Sequence, residues 1–331
     1  MRLSFIANLR IIEENFETLA HHFSDSHSGL KWDLVFTLPA WLQNWWQNFG
    51  AGSELYLRSV WQDERLIGLA PLQIKNAQTS FVGSINVCDY LDFVTVPGSE
   101  RDFLNAVLED LKGKGIRELV LETVRPDSAV VTYLLPLALE KQYKVDYKKV
   151  DVSLDLELPG NWEGYLNLLD GKQRHELKRK MRNLQGSGEV AYRVIEEKQA
   201  LLDSTGIFLQ LFPEYRQDKA QFLTAEMQTY FRSLATALAT TGILKYGQLE
   251  IERKIVAMIM YFDYNDSVFL YNSAYVPEYK PLSVGIISKA NCIEDCIARR
   301  KKRFDFLKGN EPYKYNLAGK EIPLYSCKIN I

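Results

Sequence analysis

The twelve residues Trp61-Gln-Asp-Glu-Arg-Leu-Ile-Gly-Leu-Ala-Pro-Leu72 recur in outline as Leu249-Glu-Ile-Glu-Arg-Lys-Ile-Val-Ala-Met-Ile-Met260. Each stretch consists of a β-type run, a tight charged turn and a second apolar run, which is the pattern of a β-hairpin. The second copy follows the first by 188 positions, from 61 to 249. One such match is weak support for a repeat, because charged hairpin turns are common.

The elements after each hairpin repeat in the same order. An amphipathic helix is predicted over residues 101–113 and again over 284–299. A strand follows each helix, and Arg117 and Arg303 in these strands keep the offset at 186 residues. The ordered series predicts a tandem duplication of one mixed α/β unit, with both copies built on mixed sheets.

Each unit is predicted to open with a strand and two helices. The first has a strand at 3–9 and helices near 11–22 and 39–49; the second has a strand at 189–196 and helices near 197–212 and 224–240, separated by Pro213. The joint is placed near Leu158-Pro-Gly-Asn161, a short turn. The predicted units are therefore residues 1–157 and 158–331.

Composition is that of a soluble globular protein: 331 residues, 47% hydrophobic and 25% charged, with a net charge of −2. This charge gives no general attraction to nucleic acid or an anionic membrane. No apolar run is long enough to span a bilayer, and residues 1–10 lack the features of a signal peptide, so we expect a cytoplasmic protein. The sparse cysteines argue against a disulfide framework, and the histidines offer no metal-ligand spacing, so no metal is expected.

The candidate site begins in the loop Tyr279-Lys-Pro-Leu-Ser-Val-Gly285, before the second-unit helix. Ser283 suits the N-cap position, and Gly285 allows a close approach of the backbone. Exposed N–H groups at a helix N-terminus, together with Lys280, would form an anion site of the phosphate-holding type. The alternative is an ordinary capped helix after a proline turn.

This loop resembles the pyrophosphate loop of the Gcn5-related N-acetyltransferases (GNAT), with Lys280 and Ser283 where that family has Gln or Arg and Gly. The whole chain is similar to the double-GNAT acetyltransferases called BioF2-like or CelD-like, relatives of the FemAB peptidyltransferases. The matching stretches are Trp41-Leu-Gln-Asn-Trp45, Gly68-Leu-Ala-Pro-Leu72, Asp89-Tyr-Leu-Asp-Phe93 and Phe304-Asp-Phe-Leu-Lys-Gly-Asn-Glu-Pro-Tyr-Lys314.

The resemblance implies acyl transfer from acetyl-CoA or another acyl-CoA to an amine, plausibly an amino sugar of a surface polysaccharide. The implied donor-binding residues are Lys280, Leu282, Ser283, Val284 and Gly285. The implied acceptor-binding residues are Arg216, Asn272, Asp89, Tyr90 and Lys314. The first unit would be a degenerate, acceptor-shaping copy, since its equivalent loop places Glu100 at the helix start, where a carboxylate repels a pyrophosphate.

Aminolysis of a thioester needs a neutral amine, a donor for the oxyanion and a proton for the thiolate. Asp305, between two aromatic residues on the fifth strand of the unit, is a candidate general base. Its alternative is to anchor a nearby turn or Lys314. Tyr313 is a candidate proton donor and Tyr271 a further catalytic candidate, although packing is the commoner role of a tyrosine.

Six basic residues cluster over eleven positions: Lys172, Arg174, Lys178, Arg179, Lys180 and Arg182. They are interpreted either as a solvated helix face or as contacts to a phosphate of the coenzyme, of a phosphorylated acceptor or of a tRNA. Two other functions therefore stay open. One is a FemAB-like transferase that uses aminoacyl-tRNA, the only case in which nucleic acid is expected. The other is a non-catalytic scaffold.

Overall fold

The computed structural model describes residues 8–84, 86–215 and 222–331. The chain divides into two compact units, one formed by residues 1–151 and 323–331, the other by residues 152–322. The division lies six residues before the predicted joint, and the C-terminal nine residues belong to the first unit. The reason is the C-terminal strand, which pairs with a strand of that unit from Tyr325 to Asn330.

The elements of the first half follow the chain. The strands are β1 (Leu9–Glu13), β2 (Glu54–Gln62), β3 (Arg65–Lys75), β4 (Gln78–Phe81), β5 (Val94–Thr95), β6 (Glu118–Val124) and β7 (Lys144–Glu157). The helices are α1 (Phe16–Ser24), α2 (Pro39–Phe49), α3 (Glu100–Gly113) and α4 (Leu135–Glu140), with a short 3₁₀ turn at Val35–Thr37 and a π turn at Val130–Leu134.

The second half contains the remaining elements. The helices are α5 (Trp162–Leu168), α6 (Gly171–Gln185), α7 (Lys198–Tyr215), α8 (Ala225–Leu238), α9 (Val284–Ala298) and α10 (Pro312–Asn316), with a 3₁₀ turn at Pro277–Leu282. The strands are β8 (Val190–Ile195), β9 (Leu244–Ile251), β10 (Lys254–Tyr264), β11 (Ser267–Tyr275), β12 (Arg303–Lys308) and β13 (Lys320–Asn330).

The strands within each unit pair in a mixed parallel and antiparallel order. The order in the first is β1-β2-β3-β4-β6, completed by β13, and the order in the second is β7-β12-β11-β10-β9-β8. The repeated hairpins are β2–β3 and β9–β10. In the second turn Glu252 and Arg253 both have positive φ, as a type I′ turn requires, whereas in the first only Asp63 does. The predicted mixed α/β duplication is confirmed.

Two local predictions were wrong. The strand predicted over residues 3–9 falls mostly outside the described residues, and β1 runs from Leu9 to Glu13, where a helix was expected. These residues pair with β2. The helix begins only after Asn15, its N-cap, whose side chain accepts a hydrogen bond from the Thr18 amide in a capping box. Pro213 does not end the helix predicted near 197–212, since α7 continues to Tyr215.

The core that positions the site lies between the second sheet and α9. The inward face of α9 presents Val284, Ile287, Ala290 and Ile293, each at most 1% exposed. Two apolar clusters cover this face, one against β9 and β10, the other against β11, β12, α5 and α6. Burial of this stripe fixes α9, and with it the loop before α9, against the sheet.

Candidate active site

An opening between β11 and β12 is the central feature of the second unit. The two strands pair in parallel for only three residues, from Ser267–Arg303 to Phe269–Asp305. β12 then changes register against β7 between Asp305 and Lys308, where Leu307 has a φ of +61°. In the part of the chain that the structure describes, the pairing of β11 with β12 therefore ends at Phe269 and Asp305, which leaves an opening in the ladder between the two strands.

The start of α9 lies where the chain leaves β11. Ser283 occupies the predicted N-cap position but adopts left-handed backbone geometry, with φ of +58°, and its side chain makes no capping hydrogen bond. The Ser283 carbonyl accepts from the amides of Ile286 and Ile287. Helix geometry leaves the amides of Val284 and Gly285 without an intrahelical acceptor, which is the arrangement that suits an anion.

Gly285 is required by packing. A Cβ at this position would lie 2.7 Å from Cδ1 and 2.9 Å from Cε1 of Tyr275. The glycine therefore lets the Tyr275 ring cross the first turn of α9. The prediction that Gly285 admits a close ligand stays a prediction, because the space that a Cβ would take here is next to this ring.

The other predicted donor-binding residues differ in exposure. Lys280 is exposed and Leu282 is half-buried against the cluster that contains Val284, whose side chain is fully buried. Val284 and Leu282 can therefore offer only backbone groups or a small apolar surface to a ligand.

A cavity of about 430 Å³ adjoins this helix start. Its walls come from α6, from Ile286 in the first turn of α9 and from Asn316 and Leu317 at the end of α10. Lys172 and Lys180 bring two ammonium groups to it, while the floor includes apolar Leu177.

The charges of this cavity are balanced on α6 itself. Glu176, which also lines it, accepts two hydrogen bonds from Arg179 and lies 3.4 Å from the Lys180 ammonium. The hydrogen bond from Arg179, assisted by the one from Lys180, lowers the pKa of Glu176 to about 2. Glu176 is therefore anionic at neutral pH. Of the two lysines that line the cavity, it pairs with Lys180 and not with Lys172.

Asp305 is fully buried and accepts two hydrogen bonds. One comes from the Arg303 guanidinium at 2.5 Å, and the other from the Leu307 amide at 2.8 Å. Both contacts hold the irregular end of β12, which agrees with the anchor interpretation. Its role as general base stays a prediction.

Tyr313 lies half-buried at the start of α10, on the same side of the sheet as α9. Its ring meets Phe306 edge-on at 6.4 Å between centroids. The ammonium of Lys289 lies 4.8 Å from the centroid of the Tyr313 ring. The structure thus places Tyr313 beside α9, and its proton-donor role remains a prediction.

Tyr271 lies in β11 at a bulge, because the pairing with β10 skips it between Asn272–Met260 and Leu270–Tyr261. Its ring packs 5.1 Å from that of Phe262 and 6.0 Å from that of Phe231. Tyr271 thus belongs to an aromatic cluster with α8, whereas Asn272 is half-buried at the bulge.

Lys314 is 2% exposed, and its ammonium is held by backbone. It donates to the carbonyls of Leu307, Lys308 and Gly309 at 2.9, 2.6 and 3.0 Å, and lies 3.0 Å from Glu311. This ring of carbonyls ties the end of β12 to α10. Contact of Lys314 with an acceptor stays a prediction.

The remaining predicted acceptor residues are Asp89, Tyr90 and Arg216. Asp89 and Tyr90 lie in the first unit, where Tyr90 is fully buried and the Arg125 guanidinium lies 5.2 Å from its ring centroid. Arg216 lies outside the described residues.

Lys289 was missed by the sequence reasoning. It is 4% exposed and lies on the inward face of α9, four residues after Gly285. The available signal was a lysine within a stripe of apolar residues at helical spacing, since a lysine is rarely buried without a partner.

Two further features concern the described part of the chain. It contains no cluster of three metal-ligating side chains. None of its helices combines the length and the hydropathy that crossing a membrane would require.

Comparison with known proteins bears on the fold and on the general class of reaction. Residues 171–315 match the family model described as an acetyltransferase (GNAT) domain. No curated protein matches the chain. The match supports acyl transfer as the general class of reaction.

Solved structures resemble the whole chain at low identity. FemX is 11% identical, with 96% of each chain covered and a TM-score of 0.65. L-PGS from Bacillus licheniformis is 11% identical, with 86% of this chain and 90% of that chain covered and a TM-score of 0.54. A tandem GNAT protein from the clavulanic acid biosynthesis pathway is 10% identical, with 97% and 98% covered and a TM-score of 0.50. These likenesses concern the fold.

Proposed function

We propose that the second unit, in which residues 171–315 match the GNAT family model, transfers an acyl group from an acyl-coenzyme A to an amine. The observation that carries the proposal is that three features occur together in the second unit. These are the gap between β11 and β12, the free amides at the start of α9 and the adjoining cavity.

The donor's pyrophosphate fits the start of α9. The amides of Val284 and Gly285 supply hydrogen-bond donors, and the helix dipole adds a favourable potential for an anion. Lys280 is exposed beside them and adds a mobile positive charge. Ser283 turns its backbone into the left-handed region where the loop meets the helix, and Gly285, in the first turn, is half-buried.

The cavity between α6, α9 and α10 suits the rest of the donor. Its volume of about 430 Å³ lies in the range of small-molecule sites. Leu177, Ile286 and Leu317 give it apolar walls, while Lys172 offers its charge to a phosphate and Lys180 could do so by exchanging its contact with Glu176.

The acyl carbon would lie in the gap between the strands. The oxyanion would be stabilised by backbone amides of β11 near its bulge. Tyr313 would donate a proton to the departing thiolate. We assign Asp305 to holding the irregular end of β12, since its carboxylate is occupied by Arg303 and the Leu307 amide. An amino sugar of a surface polysaccharide is the proposed acceptor, and the cytoplasm the proposed location.

Acetyl-CoA binding tests the proposal. Titration calorimetry and thermal unfolding of the full chain should show saturable binding and a rise in Tm that grows with ligand concentration. Lys172→Ala and Lys180→Ala should each weaken binding by about 3- to 10-fold, as expected for loss of one partly exposed charge contact. Lys178→Ala is the matched control, because Lys178 lies on the same helix, is exposed and does not line the cavity. Equal effects of all three substitutions would contradict the assigned cavity.

The outward face of α6 favours a second candidate, an aminoacyl-tRNA as donor. Lys178 and Arg182 are exposed on this helix, one turn apart, and a phosphate backbone would pair with such a face. Binding of tRNA, without any response to acetyl-CoA or longer acyl-CoAs, would support that candidate. No response to either would support the scaffold alternative.

A further inference from the structure

We infer that Lys289 is a positioning residue that fixes the Tyr313 ring to the first turn of α9. Through it, the donor-binding amides and the proposed proton donor would be held at one set distance. The consequence for acyl transfer rests on the proposed function, whereas the positioning itself does not.

The position of the Lys289 ammonium is unusual for a lysine. The residue is 4% exposed, and burial of an ammonium group is unfavourable unless its surroundings compensate for the lost water. One compensating contact is the Gly285 carbonyl, 2.8 Å from Nζ. Another is the face of the Tyr313 ring, whose centroid lies 4.8 Å away, within the range of cation–π attraction.

The packing around position 289 does not require a charged side chain. The neighbouring inward positions of α9 are Val284, Ile287, Ala290 and Ile293, all apolar and buried. A methionine would fill a similar volume without any desolvation of charge. The feature that a lysine adds is the pair of electrostatic contacts to Gly285 and Tyr313.

These two contacts join the two sides of the opening. Gly285 follows β11 through the loop at 277–283, and Tyr313 follows β12 through the turn that Lys314 holds. The strands themselves are unpaired beyond Phe269. Lys289 is therefore a tie between α9 and α10 across a region where the sheet does not connect them.

Fluorine NMR of the full chain tests this tie. Tyr313 is replaced site-specifically by 3-fluorotyrosine, and its resonance is compared in the parent protein, Lys289→Met and Lys289→Arg. We expect one narrow line in the parent. Lys289→Met should displace or broaden that line, because the ring loses its cation and can reorient, and Lys289→Arg should restore a narrow line. Lys320→Met, at an exposed site, serves as the control.

An unchanged line in Lys289→Met would overturn the inference. Should that variant not fold, Lys289→Gln provides the same test, since it keeps a donor for Gly285 but removes the charge. An unchanged line in Lys289→Gln would equally overturn it.

Acetyl-CoA separates this inference from the proposed function. On saturation with acetyl-CoA, the Tyr313 line of the parent should move, and the movement should be smaller in Lys289→Met, where α9 and α10 are no longer tied. Equal movements would overturn the coupling. If acetyl-CoA neither binds nor raises Tm in any variant, the proposed function fails, and the ligand-free comparison still decides the role of Lys289.

Discussion

Replacing Lys314 by methionine is predicted to destabilise the end of β12 without leaving a large cavity in the core. Methionine keeps most of the apolar stem and removes the ammonium that three backbone carbonyls share. The Leu307 carbonyl bond is buried, and those of Lys308 and Gly309 are partly buried. A buried acceptor left without its donor costs about 1–3 kcal/mol, and a partly buried one costs less because water can replace the lysine.

The sum predicts a loss of about 2–4 kcal/mol in the free energy of unfolding of the second unit. Urea unfolding, followed by the fluorescence of tryptophan in that unit, measures it. Lys320→Met is the matched control, because Lys320 is exposed and a surface change stays within about 0.5 kcal/mol. A Lys314→Met protein as stable as the control would refute the structural role. If it also lost acceptor binding, Lys314 would be a ligand instead.

Three further predictions follow from other contacts. Gly285→Ala should lower Tm despite its gain in helix propensity, because the new Cβ would meet the Tyr275 ring at 2.7 Å; a higher Tm by calorimetry would contradict this. Burial raises the pKa of Asp92 to about 7, so the folded state holds this proton while the unfolded state releases it. The Asp92 contribution to stability should therefore fall as the pH rises from about 4 to 7, and Asp92→Asn should flatten the measured pH dependence, whereas Asp127→Asn, which removes one smaller cause of the raised pKa, should flatten it only in part. Deletion of residues 323–331 removes the strand that pairs with β6 and should make the first unit sensitive to protease under native conditions; an unchanged digestion rate would count against the division into units.

The elements that could be predicted from the sequence are those that repeat along the chain or that depend on neighbouring residues. The two hairpins were predictable because charged turns between apolar runs are local signals, and the helix at 39–49 was predicted at its observed bounds. The free amides at the start of α9 also follow from a local pattern, a loop that ends in Ser283 before an apolar helical stripe.

Contacts between distant residues could not be predicted in this way. The ring of Tyr275 over Gly285 depends on where β11 meets α9, which no local pattern specifies. The same holds for Lys314, whose residue type suggested a ligand but whose ammonium is held by the carbonyls of an irregular strand end. Residues 323–331 belong to the first unit because they pair with β6, which is distant in sequence. The repeat pattern gives no sign of this pairing, since it places these residues in the second copy.

The central claim is that the second unit binds an acyl-CoA at the start of α9. Hydrogen–deuterium exchange with and without acetyl-CoA tests it most directly. The account predicts slower exchange over residues 283–287, where the amides of Val284 and Gly285 meet the pyrophosphate, and over the cavity-lining part of α6. Protection confined to the equivalent loop of the first unit, at residues 95–101, or no protection anywhere, would contradict it.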